Sequence, residues 1–103
     1  MGKRYGLHGY LKATEGNGEK LAQILEKAAY LMAKAPDCYL YMVSLDEAKP
    51  DTVWITEAWS SEKAHDNSLS LPGVRELISE AMPLLAEPPK GGQKLQIIGG
   101  HGL

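Results

Sequence analysis

Residues 53–74, VWITEAWSSEKAHDNSLSLPGV, decide the fold. The first third alternates: Val53, Ile55, Glu57 and Trp59 share one face, and Trp54, Thr56 and Ala58 share the other. Period-two alternation of β-branched and aromatic residues specifies a strand. Ser60 and Ser61 then offer hydroxyls that can cap a helix, and Glu62 puts a negative charge in its first turn. A short helix carrying Ala64, His65 and Ser68 should follow. Pro72 cannot sit inside a helix, so it restarts the chain in a second one. Glu57 is the anomaly, a carboxylate on the face of Val53, Ile55 and Trp59. If that face points inward, the carboxylate needs a partner or a chemical task, because burying it alone is costly.

Upstream, residues 5–13 (YGLHGYLKA) read as a strand with Tyr5, Leu7, Gly9, Leu11 and Ala13 opposite Gly6, His8, Tyr10 and Lys12. Glycines inside a strand mark a bulge or the close approach of a ligand or another backbone. Residues 15–18 form a turn, with Asn17 as the expected helix cap. Over residues 19–34, Leu21, Ile24, Leu25, Ala28 and Met32 recur at helical spacing, which predicts an amphipathic helix laid on a sheet. Pro36 ends it. Residues 38–45 form a second strand, with Tyr39, Tyr41, Val43 and Leu45 opposite Cys38, Leu40, Met42 and Ser44. Both of its faces are mostly apolar, so one should meet the helices and the other a partner subunit.

Downstream, Val74, Leu77, Ile78, Ala81 and Leu85 stripe a helix that opens at Gly73 and runs to Met82 or Leu85. Residues 86–92 (AEPPKGG) are loop, and residues 93–98 a fourth strand. The order β-α-β-β-α(α)-β is the ferredoxin-like split βαβ pattern, an α+β fold with one antiparallel sheet and helices on one side.

A chain of 103 residues is expected to form one domain spanning residues 1–103. Its net charge of −2 and the absence of a Lys/Arg cluster beyond Lys3-Arg4 argue against nucleic acid as a partner. No apolar run approaches the ~20 residues of a membrane span, and no signal-like segment opens the chain. Cys38 is the single cysteine, which excludes an internal disulfide and points to a reducing cytoplasm.

Three segments, YGLHGYLKATEGNGEKL (5–21), VWITEAWSSEKAHDNSLSLPGVRELI (53–78), and AMPLLA with IIGGHGL near the end, resemble the antibiotic biosynthesis monooxygenase family, which includes quinol monooxygenases. The Glu-x-Trp strand end followed by a helix broken at proline is the most specific part. The resemblance implies a dimeric α+β barrel in which two ferredoxin-like sheets pack face to face. It also implies a pocket between each sheet and its helices, and oxygenation of a quinol or related electron-rich aromatic by dioxygen with no cofactor, neither metal nor flavin. The enzyme would bind the ring, take a phenolic proton and hold the anion away from water. Many family members carry histidines where this chain has Ser68 and Gly73. Of the residues used by the haem-degrading branch only Trp59 matches, which argues against that activity.

The candidate catalytic residues are therefore His8, Glu57 and His65, and the candidate substrate-binding residues are Trp59, Tyr41, Asn67 and Ser68. Each has a plainer alternative. Glu57 is either a general base or a carboxylate paired with Arg75, Lys12 or a backbone amide. Trp59 is a pocket wall or a core ring. His8 acts only if its face meets the helices, since that face could equally be the dimer face. His65 is an acid–base group or a helix-surface residue. Tyr41 could bond a quinol oxygen or simply pack, and Asn67 and Ser68 could orient a ligand or sit in solvent. Histidine spacing does not match a metal site. The rival to an enzyme is a non-catalytic ligand-binding barrel, motivated by the missing histidines at Ser68 and Gly73.

Overall fold

The computed structural model describes residues 3–103. Strand β1 (Arg4–Lys12) leads through a turn into helix α1 (Gly18–Met32), followed by β2 (Cys38–Leu45) and β3 (Thr52–Trp59). Helices α2 (Glu62–Ser68) and α3 (Val74–Ala81), a 3-10 turn (Met82–Leu84) and β4 (Gln93–Ile97) complete the chain. The four strands form one antiparallel sheet in the order β2-β3-β1-β4, the ferredoxin-like arrangement, and the sheet does not close on itself.

Register decides which side chains reach the helices. Leu7 lies opposite Glu57, Gly9 opposite Ile55, and Tyr5 opposite Trp59 across the β1–β3 pair. These residues face the helices with Tyr41 and Val43 of β2. One buried cluster joins Leu21 and Ile24 of α1 to Ala13, Val53 and Ala81. A second joins Met32 and Val74 to Trp59. The buried residues Leu21, Ile24, Ala28 and Met32 are the apolar stripe of α1. The opposite face of the sheet carries Met42, Trp54, Thr56, His8, Tyr10 and Leu95, and Met42, Tyr10 and Leu95 are exposed in the single chain.

Three local features depart from expectation. Asn17 does not cap α1, because its backbone (φ −106°, ψ 9°) is not the extended conformation of a cap and its amide donates to Thr14 Oγ1 at 2.8 Å. Asp51 takes the role from the β2–β3 turn, accepting the Gly16 and Gly18 N–H groups at 3.1 and 3.0 Å. A Cβ on Gly18 would stand 2.1 Å from the Pro50 carbonyl oxygen, so only glycine permits this docking. Second, a bulge between Cys38 and Leu40 shifts the register of β2, so Cys38 packs with Met32 and Trp59 on the helix side. Tyr39 is exposed with the Arg4 guanidinium 4.2 Å from its ring centre, so it does not share a face with Tyr41. Third, α3 starts after Gly73 in the left-handed region (φ 90°), so a glycine, not Pro72 alone, makes the break. The Ser61 hydroxyl does cap α2, accepting the Ala64 N–H at 3.1 Å.

Candidate functional site

Glu57 points from the centre of β3 toward the helices and is 8% exposed. Its Oε1 accepts the Trp59 indole N–H at 2.9 Å. His65 reaches down from α2 and places Nε2 3.7 Å from the same oxygen. The His65 ring stands edge-on to Trp59 (5.8 Å, 83°) and tilts against Tyr5 (5.6 Å, 49°). No protein donor meets Glu57 Oε2 among the described residues, although every fully buried side-chain polar atom among them is hydrogen-bonded. That oxygen therefore retains access to open space. Burial holds the Glu57 carboxyl above the usual carboxylate range; the Trp59 hydrogen bond and the His65 charge oppose the shift without cancelling it. Glu57 in turn helps hold its cross-strand neighbour Tyr41 in the phenol form, after burial itself, which is the larger cause.

Glu57 also stands in the wall of a cleft of about 140 Å³. Leu7, Leu11, Ile55 and Glu57 form its sheet side, and Pro89, Gly91 and Gly92 of the last loop form the rest. Gly9 makes this possible: a Cβ there would lie 2.6 Å from the Gly92 Cα. The glycine in β1 thus marks the approach of a second backbone. A larger open groove, about 720 Å³, runs between α1 and β2; Tyr41, Tyr30 and Gln23 line it with the exposed carboxylates Glu19 and Glu26, and no histidine does.

The structure brings Glu57, Trp59 and His65 together and separates His8 from them. His8 lies on the opposite sheet face, stacked on Trp54 (5.1 Å, 16°), with Nδ1 bonded to Thr56 Oγ1 at 3.0 Å. Strand alternation places it there, since Leu7 and Gly9 take the helix side. Tyr41 stands beside Glu57 in register but lines the α1–β2 groove. Asn67 is exposed, and the buried Ser68 hydroxyl donates to the His65 carbonyl, which ties down the end of α2. Glu57 pairs with none of Arg75, Lys12 or a backbone amide. Sequence reasoning missed Asp66, whose Oδ1 lies 3.0 Å from His65 Nδ1, and the loop at Pro89–Gly92; only the Gly9 and Gly91-Gly92 pattern hinted at the latter. Among the described residues no group of three or more His, Cys, Asp and Glu side chains is placed to hold a metal ion, and no helix is long and apolar enough to cross a membrane.

The Glu57–Trp59–His65 cluster thus lies between an antiparallel sheet and short helices of an α+β fold, and comparison supplies the family. Residues 4–80 match the antibiotic biosynthesis monooxygenase family. The chain belongs to that family. A crystal structure of a candidate antibiotic biosynthesis monooxygenase from Chloroflexus aurantiacus is 39% identical, with a TM-score of 0.86 over 96% of this chain and 97% of that one. A counterpart from Deinococcus radiodurans is 28% identical, with a TM-score of 0.71 over 97% and 95% of the two chains. A conserved Bacteroides thetaiotaomicron protein of unknown function shares the fold at 14% identity, with a TM-score of 0.80 over 94% of this chain and all of that one. No curated protein sequence matches the chain.

Proposed function

We propose that this protein is a cofactor-independent monooxygenase that oxidises a quinol or a related electron-rich aromatic with dioxygen. The observation that carries the reading is Glu57, a buried carboxylate with one oxygen fixed by Trp59, standing in the wall of a mostly apolar cleft. A carboxyl pushed up by burial is poised to accept a phenolic proton, and ionisation of the ring makes it electron-rich enough to reduce dioxygen directly. The balance is quinol plus O₂ giving hydroxyquinone plus water: one oxygen atom joins a ring carbon, the other leaves as water, and the ring supplies the electrons. The chain's residues bind the ring, take and return the proton, and exclude water.

Cavity size supports a small substrate. The cleft of about 140 Å³ is mostly apolar and open on one side, which suits a small aromatic ring. The second apolar sheet face supports a homodimer built sheet to sheet, and the lone Cys38 suits a reducing cytoplasm. One observation favours a non-catalytic binding protein instead: Ser68, which stands where many family members carry histidine, spends its hydroxyl on the His65 carbonyl. Oxygen uptake with single-ring hydroquinones separates the two. Turnover lost in Glu57→Gln supports the enzyme, and a ligand bound and recovered unchanged under air supports the binding protein.

A further inference from the structure

The proposed reaction gives Glu57 a proton to hold, and the structure offers a place for it beyond the carboxylate. His65 lies between two carboxylates. Its Nε2 faces Glu57 Oε1 at 3.7 Å and its Nδ1 faces Asp66 Oδ1 at 3.0 Å. The His65 side chain is 17% exposed, whereas Asp66 is 63% exposed. The three groups therefore run from the helix–sheet interior to the surface. Asp66 is adjacent in sequence to His65, a spacing that does not normally bring helical side chains face to face, so the contact depends on the Asp66 rotamer.

We propose that Asp66 is a positioning residue for a Glu57–His65 acid–base pair: it holds the His65 ring with Nδ1–H toward its own carboxylate and Nε2 toward Glu57, so that the proton taken from substrate is shared by Glu57 and His65. This rests on Glu57 being the base. The exchange is balanced within the pair. A proton on Glu57 moves to Nε2, the imidazolium is stabilised by Asp66, and the proton returns by the same path to the oxygen that leaves as water. A carboxylate on Nδ1 fixes the imidazole tautomer and ring orientation. Only small movement is needed to turn the 3.7 Å approach into a hydrogen bond, and catalytic contacts commonly shorten once substrate is bound.

Other titratable groups face this pair from the neighbouring elements. Tyr41 and Cys38 approach from β2 and Tyr5 from β1. Glu62 lies on α2 itself, and Lys94 of β4 is paired to Glu62 at 2.6 Å. Burial holds Tyr5, Cys38 and Tyr41 in their neutral forms.

The test is Asp66→Asn in the full chain, read in two ways. The first is the Trp59 Nε1–H proton resonance against pH, which reports the charge on Glu57 through their hydrogen bond. Loss of Asp66 weakens the imidazolium that helps keep Glu57 ionised, so the transition moves upward, by about half a pH unit for a largely exposed partner. The second is the pH profile of hydroquinone oxidation: kcat falls about threefold on the acid side with KM unchanged, and Asp66→Glu restores it. An unmoved Trp59 resonance midpoint in Asp66→Asn overturns the proposal whether or not turnover is found. Full turnover in Glu57→Gln overturns the base assignment instead, and with it the shared proton.

Discussion

The Trp59 indole N–H donates to Glu57 Oε1 at 2.9 Å, two residues back along the same strand face. This interaction supplies the partner that the sequence demanded for Glu57. The tryptophan is 1% exposed and seals the helix–sheet interface, so its ring is core while its N–H belongs to the site. The carboxylate also stands in the wall of the cleft.

Glu57→Gln should retain the fold, since the amide oxygen can still accept the Trp59 N–H. Its kcat for a hydroquinone should fall by about 10² or more, the scale of a lost general base. Steady-state oxygen uptake with matched near-UV circular dichroism checks both halves of the expectation.

Glu57 also makes stability depend on pH. Its folded pKa lies above its unfolded value, so the folded state binds the proton more tightly. The associated stability is complete below the unfolded carboxylate pKa of about 4.3 and is lost as pH rises through the folded pKa. Glu57→Gln cannot ionise, so its melting temperature relative to the parent should increase from pH 4 toward neutrality. A difference that stays flat across that window would show that Glu57 ionises as freely in the folded chain as in the unfolded one.

Trp59→Phe removes the N–H and keeps most of the ring. It should cost about 1–3 kcal/mol through the unmet hydrogen bond and the smaller side chain. It should also push the acid limb of the pH–rate profile upward, because the hydrogen bond lowers the Glu57 pKa. Denaturant unfolding and the pH profile test these separately.

Gly9→Val probes the cavity wall without touching an ionisable group. The added carbon would meet the Gly92 Cα at 2.6 Å, backbone against backbone, so the 86–92 loop must move. A stability loss of about 1–3 kcal/mol is expected, with a KM rise exceeding any fall in kcat. His8→Ala is the complementary control: His8 lies on the other face, so kcat/KM should stay within about twofold (a ~0.4 kcal/mol effect). If dimers form through that face, the same variant should weaken them in sedimentation equilibrium, since His8 stacks on Trp54 there.

The fold was legible because period-two and period-3.6 patterns are strong in this chain. The Val53–Trp59 alternation put Glu57 on one face with Val53, Ile55 and Trp59 without saying which way that face points, and the α1 stripe marked the layer of helix packed on the sheet. What escaped the sequence depends on contacts between distant segments. The Cys38/Leu40 bulge turns Cys38 inward, and alternation alone cannot see an inserted residue. Asp51 caps α1 from 33 residues away, so local cap rules chose Asn17. His8 and Glu57 look equally suited to acid–base work in the sequence, and only the inward direction of Leu7 and Gly9 separates them. Asp66 gave no signal, because a charged residue on a short helix is ordinary until the His65 ring is placed beside it.

The most direct measurement is oxygen uptake with a single-ring hydroquinone after exhaustive chelation, comparing the parent protein with Glu57→Gln. The account predicts catalytic uptake that survives chelation, yields one hydroxyquinone per O₂, and drops about 10²-fold in the variant. Equal uptake by both proteins, or none by the parent across a panel of such quinols, contradicts it.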